Sequence, residues 1–235
     1  MWSFIFVFFL LLVFPPKAQA AQWYYPIDHY YQRQTIKSFG QLINDNFYQG
    51  KESLFPFNRF YGYHAGIDLE SFPQELDQKV PLYAIGDGTI SYIGSLPGYG
   101  GVILEQLDLE NATALYGHVK IQNLNYKVAD KVKAGKILTY LGDAFSTETS
   151  KERKHLHFAI NIGTDLYFHG HEQTLEILSA KWLDPNIYLN QKGAVLPGSA
   201  QIEPLPFSSH GFFETLLIKI KNLFLDLGTA IHKIL

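Results

Sequence analysis

The chain has 235 residues, a formal net charge of −3, 47% hydrophobic and 17% charged residues, and no cysteine. That length suits one well-buried domain with appendages and is short for two. The composition excludes a disordered chain and the charge gives no footprint for nucleic acid. Without thiols there are no disulfides and no thiolate ligands, so a metal would have to be held by histidine and carboxylate.

The run from Phe4 to Phe14 is unbroken in its apolar character and is followed by Pro15-Pro16-Lys17 and Ala18-Gln19-Ala20. This reads as an export signal over 1–20, cleaved after Ala20, although no Lys or Arg precedes the apolar run. The run is short for a membrane span. The expected location is therefore the periplasm or the outside of the cell. Residues 21–57 are aromatic and polar without a clear period and read as an N-terminal wrap, with a short helix near Ile36–Asn46.

Short apolar runs punctuated by glycine then predict strands over Val80–Ile85, Gly88–Ile93, Gly101–Gln106, Thr113–Tyr116, Ile137–Leu141 and Leu156–Ile162. Asp87-Gly88 and Gly98-Tyr99-Gly100-Gly101 mark turns between them. Many short strands with no long helix predict a mostly β fold, an antiparallel sandwich or barrel, for a domain over 58–190. A loop over Asp165–Ala180 interrupts the rhythm, with a short helix over Thr174–Lys181. Residues 191–208, with Pro204-Leu205-Pro206, read as a linker. Beyond them, Phe213, Leu217, Ile220, Phe224, Leu227, Ile231 and Ile234 keep helical spacing, which predicts an amphipathic helix over 209–235. Lys219, Lys221, Asp226 and Lys233 interrupt it too often for a transmembrane span. Its apolar face would dock onto the parent domain or, in the sharper reading, meet a membrane surface or a protein partner.

The chemistry concentrates in three short motifs: His64-Ala65-Gly66-Ile67-Asp68, Tyr116-Gly117-His118 and His155-Leu156-His157. Histidines at i, i+2 share one face of a strand. A His and an Asp four apart converge if the chain curls between them, and Gly66 allows that curl. A catalytic zinc takes three protein ligands and leaves one position for water. His64, Asp68 and His157 supply those three. His155, on the same strand face, and His118, following a neighbouring strand, are left for proton transfer.

These motifs, in this order, resemble the M23 family of zinc metallopeptidases, the lysostaphin- and LytM-like peptidoglycan endopeptidases. The resemblance extends through Val80-Pro81-Leu82-Tyr83-Ala84, Val132-Lys133-Ala134-Gly135 and Leu141-Gly142, and covers about residues 60–190. It implies a compact antiparallel β core of the duplicated hybrid motif type, with Zn2+ as the cofactor and a peptidoglycan peptide as the substrate. His64, Asp68 and His157 match the family's zinc ligands. His155 matches the catalytic histidine that handles the water proton, and His118 the one that supports the tetrahedral intermediate.

Two further readings stay open. Relatives that have lost ligands act as non-catalytic modules activating another cell-wall hydrolase, but here all five positions are kept. A non-wall protein substrate would use the same site. The sequence departs from the family in the turn before His155, where Asp143–Lys154 is longer and charged instead of Gly-rich, so the groove wall and substrate preference are expected to differ. His169-Gly170-His171 lies outside the pattern and reads as a solvated loop more readily than as a second metal site. Tyr61 and Tyr63 precede the first ligand and would either stabilise an oxyanion or pack beside the site.

Overall fold

Side chains that alternate between apolar and polar build the strands of this protein, and the alternation decides which face carries chemistry. The computed structural model describes residues 21–44 and 61–197. The expected export signal over 1–20, the end of the wrap over 45–57, the linker over 198–208 and the amphipathic helix over 209–235 lie outside the described residues. In chain order the strands are β1 (Leu42–Asn44), β2 (Tyr61–His64), β3 (Ile67–Glu70), β4 (Pro81–Tyr83), β5 (Gly88–Leu96) and β6 (Gly100–Leu107). They continue with β7 (Ala112–Gly117), β8 (Lys131–Val132), β9 (Ile137–Tyr140), β10 (His155–Ile162), β11 (His171–Glu172) and β12 (Trp182–Leu183). Two short helices, α1 (Leu175–Lys181) and α2 (Pro185–Gln191), lie on either side of β12 in the chain. The fold is mostly antiparallel β, as the short glycine-punctuated runs predict.

The main sheet has seven strands. Its order is β12-β10-β7-β6-β5-β8, with β3 also paired to β10. One edge of β10 is shared: its first half pairs with β3 (His155↔Glu70 through Phe158↔Ile67), and Ile160 and Asn161 pair with β12. Its other edge pairs with β7 over six residues. A three-stranded sheet β1-β2-β11 and a two-stranded sheet β4-β9 complete the set.

The period of two divides the buried side chains between two clusters. Leu156, Phe158 and Ile160 of β10, Ile67 and Leu69 of β3, and Tyr116 of β7 enter the main core. Leu115 of β7, Val102 and Leu104 of β6 and Ala159 of β10 enter a smaller cluster with Tyr99, Leu178 and Trp182. His155 and His157 stand on this second face. Truncating Phe158, which is fully buried, would cost about 3–5 kcal/mol.

The helix over Thr174–Lys181 forms as expected. Thr174 is its N-cap, accepting from the Ile177 N–H, with Glu176 in the first turn and Lys181 in the last, both suited to the helix dipole. The second helix was not anticipated, though Asp184-Pro185 carries its signal: Asp184 caps Asn186 and Ile187, and Pro185 takes the first helical position. The helix expected near Ile36–Asn46 does not form over its described part. Instead the chain runs beside the domain and hydrogen-bonds to it: Glu70 N–H to Gln34 O, Asp68 N–H to Lys37 O, and His64 N–H to Gln41 O. Gly40, at φ +73°, turns the chain into β1. Pairing with β2 and β3 satisfies the backbone groups that a helix would have used internally. The start of the expected linker also packs in place, since Val195 N–H donates to Trp23 O and Val195 O accepts from Tyr25 N–H.

Candidate metal centre

Antiparallel register assembles the site. Asp68 on β3 stands directly opposite His157 on β10, and His157 stands opposite Gly117 at the end of β7. His64 ends β2, and Ala65-Gly66 carries the chain into β3. The chain bends at Ala65-Gly66, as expected, and brings His64 Nε2 within 3.3 Å of Asp68 Oδ1, although the Gly66 backbone does not enter the left-handed region. What demands glycine is close approach: a Cβ there would lie 2.5 Å from Phe158 O and 3.0 Å from His157 Nε2.

Three ligand-type atoms then meet. His157 Nδ1 lies 3.0 Å from Asp68 Oδ1 and 3.1 Å from His64 Nε2, and His64 Nε2 lies 3.3 Å from Asp68 Oδ1. The other nitrogen of His64, Nδ1, is 3.3 Å from Ser38 O; donating to that carbonyl fixes the tautomer that leaves Nε2 bare. Three electron-rich atoms this close repel each other unless something positive lies among them. One imidazole hydrogen serves two of them, whereas a divalent cation serves all three. Ligands at ~2.0–2.1 Å around a tetrahedral zinc are separated by about 3.3–3.4 Å, so the donor set fits that ion. Among the described residues this is the one group of three or more metal-ligating side chains.

Burial supports the same chemistry. All five residues of the three motifs are between 1% and 6% exposed, and a buried imidazole resists protonation. Burial pulls His157 down, more than its bond to Asp68 pushes it up, and it pulls His118 down to about 3. His155 is driven well below the usual histidine range, first by burial and then by His118 and Arg153. For Asp68 burial acts upward, but His64, His155 and the bond from His157 outweigh it and hold the carboxyl well below its usual range. Neutral imidazoles and an ionised carboxylate are the forms that bind metal.

His155 and His118 stand beside the triangle. His155 Nδ1 lies 3.0 Å from Arg153 O. Donating there leaves Nε2 bare, 3.5 Å from Asp68 Oδ2. The His118 ring lies over the His155 ring, with centroids 4.2 Å apart. His118 adopts φ +61°, uncommon for a residue with a side chain, and its buried Nδ1 has no hydrogen-bond partner.

The model of Peptidase family M23 matches residues 62–169, which contain every residue of this cluster. These residues form an M23 peptidase domain. Three solved structures similar to the chain are LytU, the catalytic domain of lysostaphin from Staphylococcus simulans, and a zinc-containing peptidase from Vibrio cholerae. LytU is 25% identical at a TM-score of 0.45, over 68% of this chain and 86% of its own. The lysostaphin domain is 22% identical at 0.45, over 68% and 94%. The Vibrio cholerae peptidase is 21% identical at 0.42, over 60% and 36%. A comparison with curated proteins finds no match.

Other candidates around the M23 site fall outside the cluster. Tyr63 packs against the smaller core cluster, in agreement with the packing alternative, whereas Tyr61 is 65% exposed. His171 pairs with His64 across β2 and β11. His169 Nδ1 meets Tyr167 Oη at 3.0 Å, and neither histidine gathers a third ligand into a metal-binding group among the described residues. Sequence reasoning singled out neither Arg153, Lys37 nor Tyr99. Tyr99 lies in the β5–β6 turn, its ring centroid 5.1 Å from that of His157. Lys37 lies far off in sequence, where no motif marks it.

Proposed function

We propose that this M23 domain is a zinc endopeptidase that hydrolyses peptide bonds in peptidoglycan cross-links or stems. The observation that carries the reading is the triangle of His64 Nε2, Asp68 Oδ1 and His157 Nδ1, with sides of 3.0–3.3 Å, flanked by the imidazoles of His155 and His118. His64, Asp68 and His157 would hold zinc, which polarises a scissile carbonyl and lowers the pKa of its water towards ~7. His155, its Nδ1 anchored on Arg153 O, offers Nε2 to take the proton from the attacking water and return it to the leaving amine. His118, its ring centroid 4.2 Å from that of His155, would donate to the developing oxyanion. Peptidoglycan as substrate is supported by the family and by lysostaphin, an antimicrobial peptidase.

The export reading is part of the proposal and rests on Phe4–Phe14 and Ala18-Gln19-Ala20. It predicts a mature N-terminus at Ala21, which N-terminal sequencing of the exported protein would check. For the activity, the purified mature protein is incubated with zinc and muropeptides, and new amine termini are sought by mass spectrometry. Cleavage that His157→Ala abolishes supports the proposal. Zinc binding without cleavage would point instead to a module that activates another hydrolase.

A further inference from the structure

The second oxygen of Asp68 is turned away from the ligand triangle and towards two cations. Oδ2 lies 3.1 Å from Arg153 Nη2 and 3.7 Å from Lys37 Nζ. Arg153 is itself held: its Nε lies 3.0 and 2.9 Å from the two oxygens of Glu70, and its Nη2 lies 2.9 Å from Oε1. Register explains the arrangement. Asp68 and Glu70 are two apart on β3 and share a face. They stand opposite His157 and His155, so the residue two before His155 arrives over both carboxylates. A guanidinium has the planar fork to engage the two at once. Arg153 also lies in the charged turn at which this sequence leaves the family's Gly-rich pattern.

We infer that Arg153, assisted by Lys37, is a positioning residue that occupies Asp68 Oδ2, so that Asp68 offers the metal Oδ1 alone. The inference rests on the zinc reading of the site. A free carboxylate can close on a metal through both oxygens, raising the coordination number by one and filling space needed for water or substrate. The charge-assisted bond at Oδ2 prevents this, and Glu70 keeps the guanidinium from swinging away. Partners of this kind, one bond beyond the metal, are typically worth about 10–100-fold in metal affinity.

The test uses the full mature protein loaded with Co2+ in place of zinc. Its visible d–d absorption falls in intensity as coordination rises above four, and a chelator competition measures affinity. In Arg153→Gln the cobalt absorption is expected to weaken and metal affinity to fall at least about tenfold. Arg153→Lys keeps the charge without the fork and should lie between. Glu70→Gln releases Arg153 and should shift the spectrum the same way by less. If Arg153→Gln fails to fold, as judged by near-ultraviolet circular dichroism, the other two variants carry the test. Wild-type spectra and affinities in the Arg153 and Glu70 variants would overturn the positioning role while leaving the zinc reading intact. A wild-type protein that takes up no cobalt or zinc would overturn the zinc reading, and this inference with it.

Discussion

Asp68 and His157 face each other across the β3–β10 ladder, with the carboxylate Oδ1 3.0 Å from the imidazole Nδ1. They are 89 residues apart in sequence, so only strand pairing brings them together. His155, two residues earlier on the same face, meets the other carboxylate oxygen instead, Oδ2 at 3.5 Å. One carboxylate thus separates two histidines that look alike in sequence.

That separation predicts different failures. His157→Ala should lose both bound zinc and peptide cleavage, since it removes one corner of the triangle. His155→Ala should keep about stoichiometric zinc and lose turnover by ~10²–10⁴-fold, the usual contribution of a general base. Metal content by mass spectrometry beside cleavage rate measures both, and equal zinc loss in the two variants would overturn the assignment.

Gly66→Ala should damage the site without touching a ligand. The added Cβ would sit 2.5 Å from Phe158 O and 3.0 Å from His157 Nε2, forcing β3 and β10 apart where the ligands meet. We expect roughly 1–3 kcal/mol of destabilisation from the overpacking and at least about tenfold weaker zinc binding. Chelator competition on the folded variant checks this; unchanged affinity would show that the ligand geometry tolerates the shift.

Glu105 makes stability depend on pH. It is fully buried on the main-core side and accepts from Tyr116 Oη at 2.6 Å and from the Ile85 N–H at 3.2 Å. Burial pushes its carboxyl up to about 7 from an ordinary 4.5. Tyr116 has one hydroxyl proton and two acceptors, Glu105 and Tyr83 O at 3.0 Å, so a proton on Glu105 completes the network. Because the folded state binds this proton more tightly than the unfolded one, the contribution is complete below about pH 4.5 and is lost as pH rises through about 7, up to ~3 kcal/mol. Thermal melts from pH 4 to 8 should show Glu105→Gln losing less stability than wild type over that window. Parallel curves would count against a protonated Glu105.

Asp184→Ala tests the cap of α2. Asp184 Oδ1 accepts from Asn186 N–H at 2.8 Å and Ile187 N–H at 3.4 Å, and its removal should cost ~1 kcal/mol in urea unfolding. Zinc affinity should not change, because none of these residues touches the metal cluster.

The sequence by itself determined the fold class and most of the main sheet. Apolar runs such as Gly88–Ile93 and Leu156–Ile162 are local signals, and period-two alternation is enough to place His155 and His157 on one face. The spacing of His64, Asp68 and His157 likewise nominated the cluster. Tertiary structure alone decided how Asp68 divides its two oxygens, why Gly66 must be glycine, and that residues 34–41 run along β2 and β3 in place of a helix. Arg153, Lys37 and Ser38 reach the site only there, because a hydrogen bond or an ion pair depends on distances of about 3–4 Å between atoms. Strand register sets such distances between distant parts of the chain, and no local pattern in the sequence encodes them.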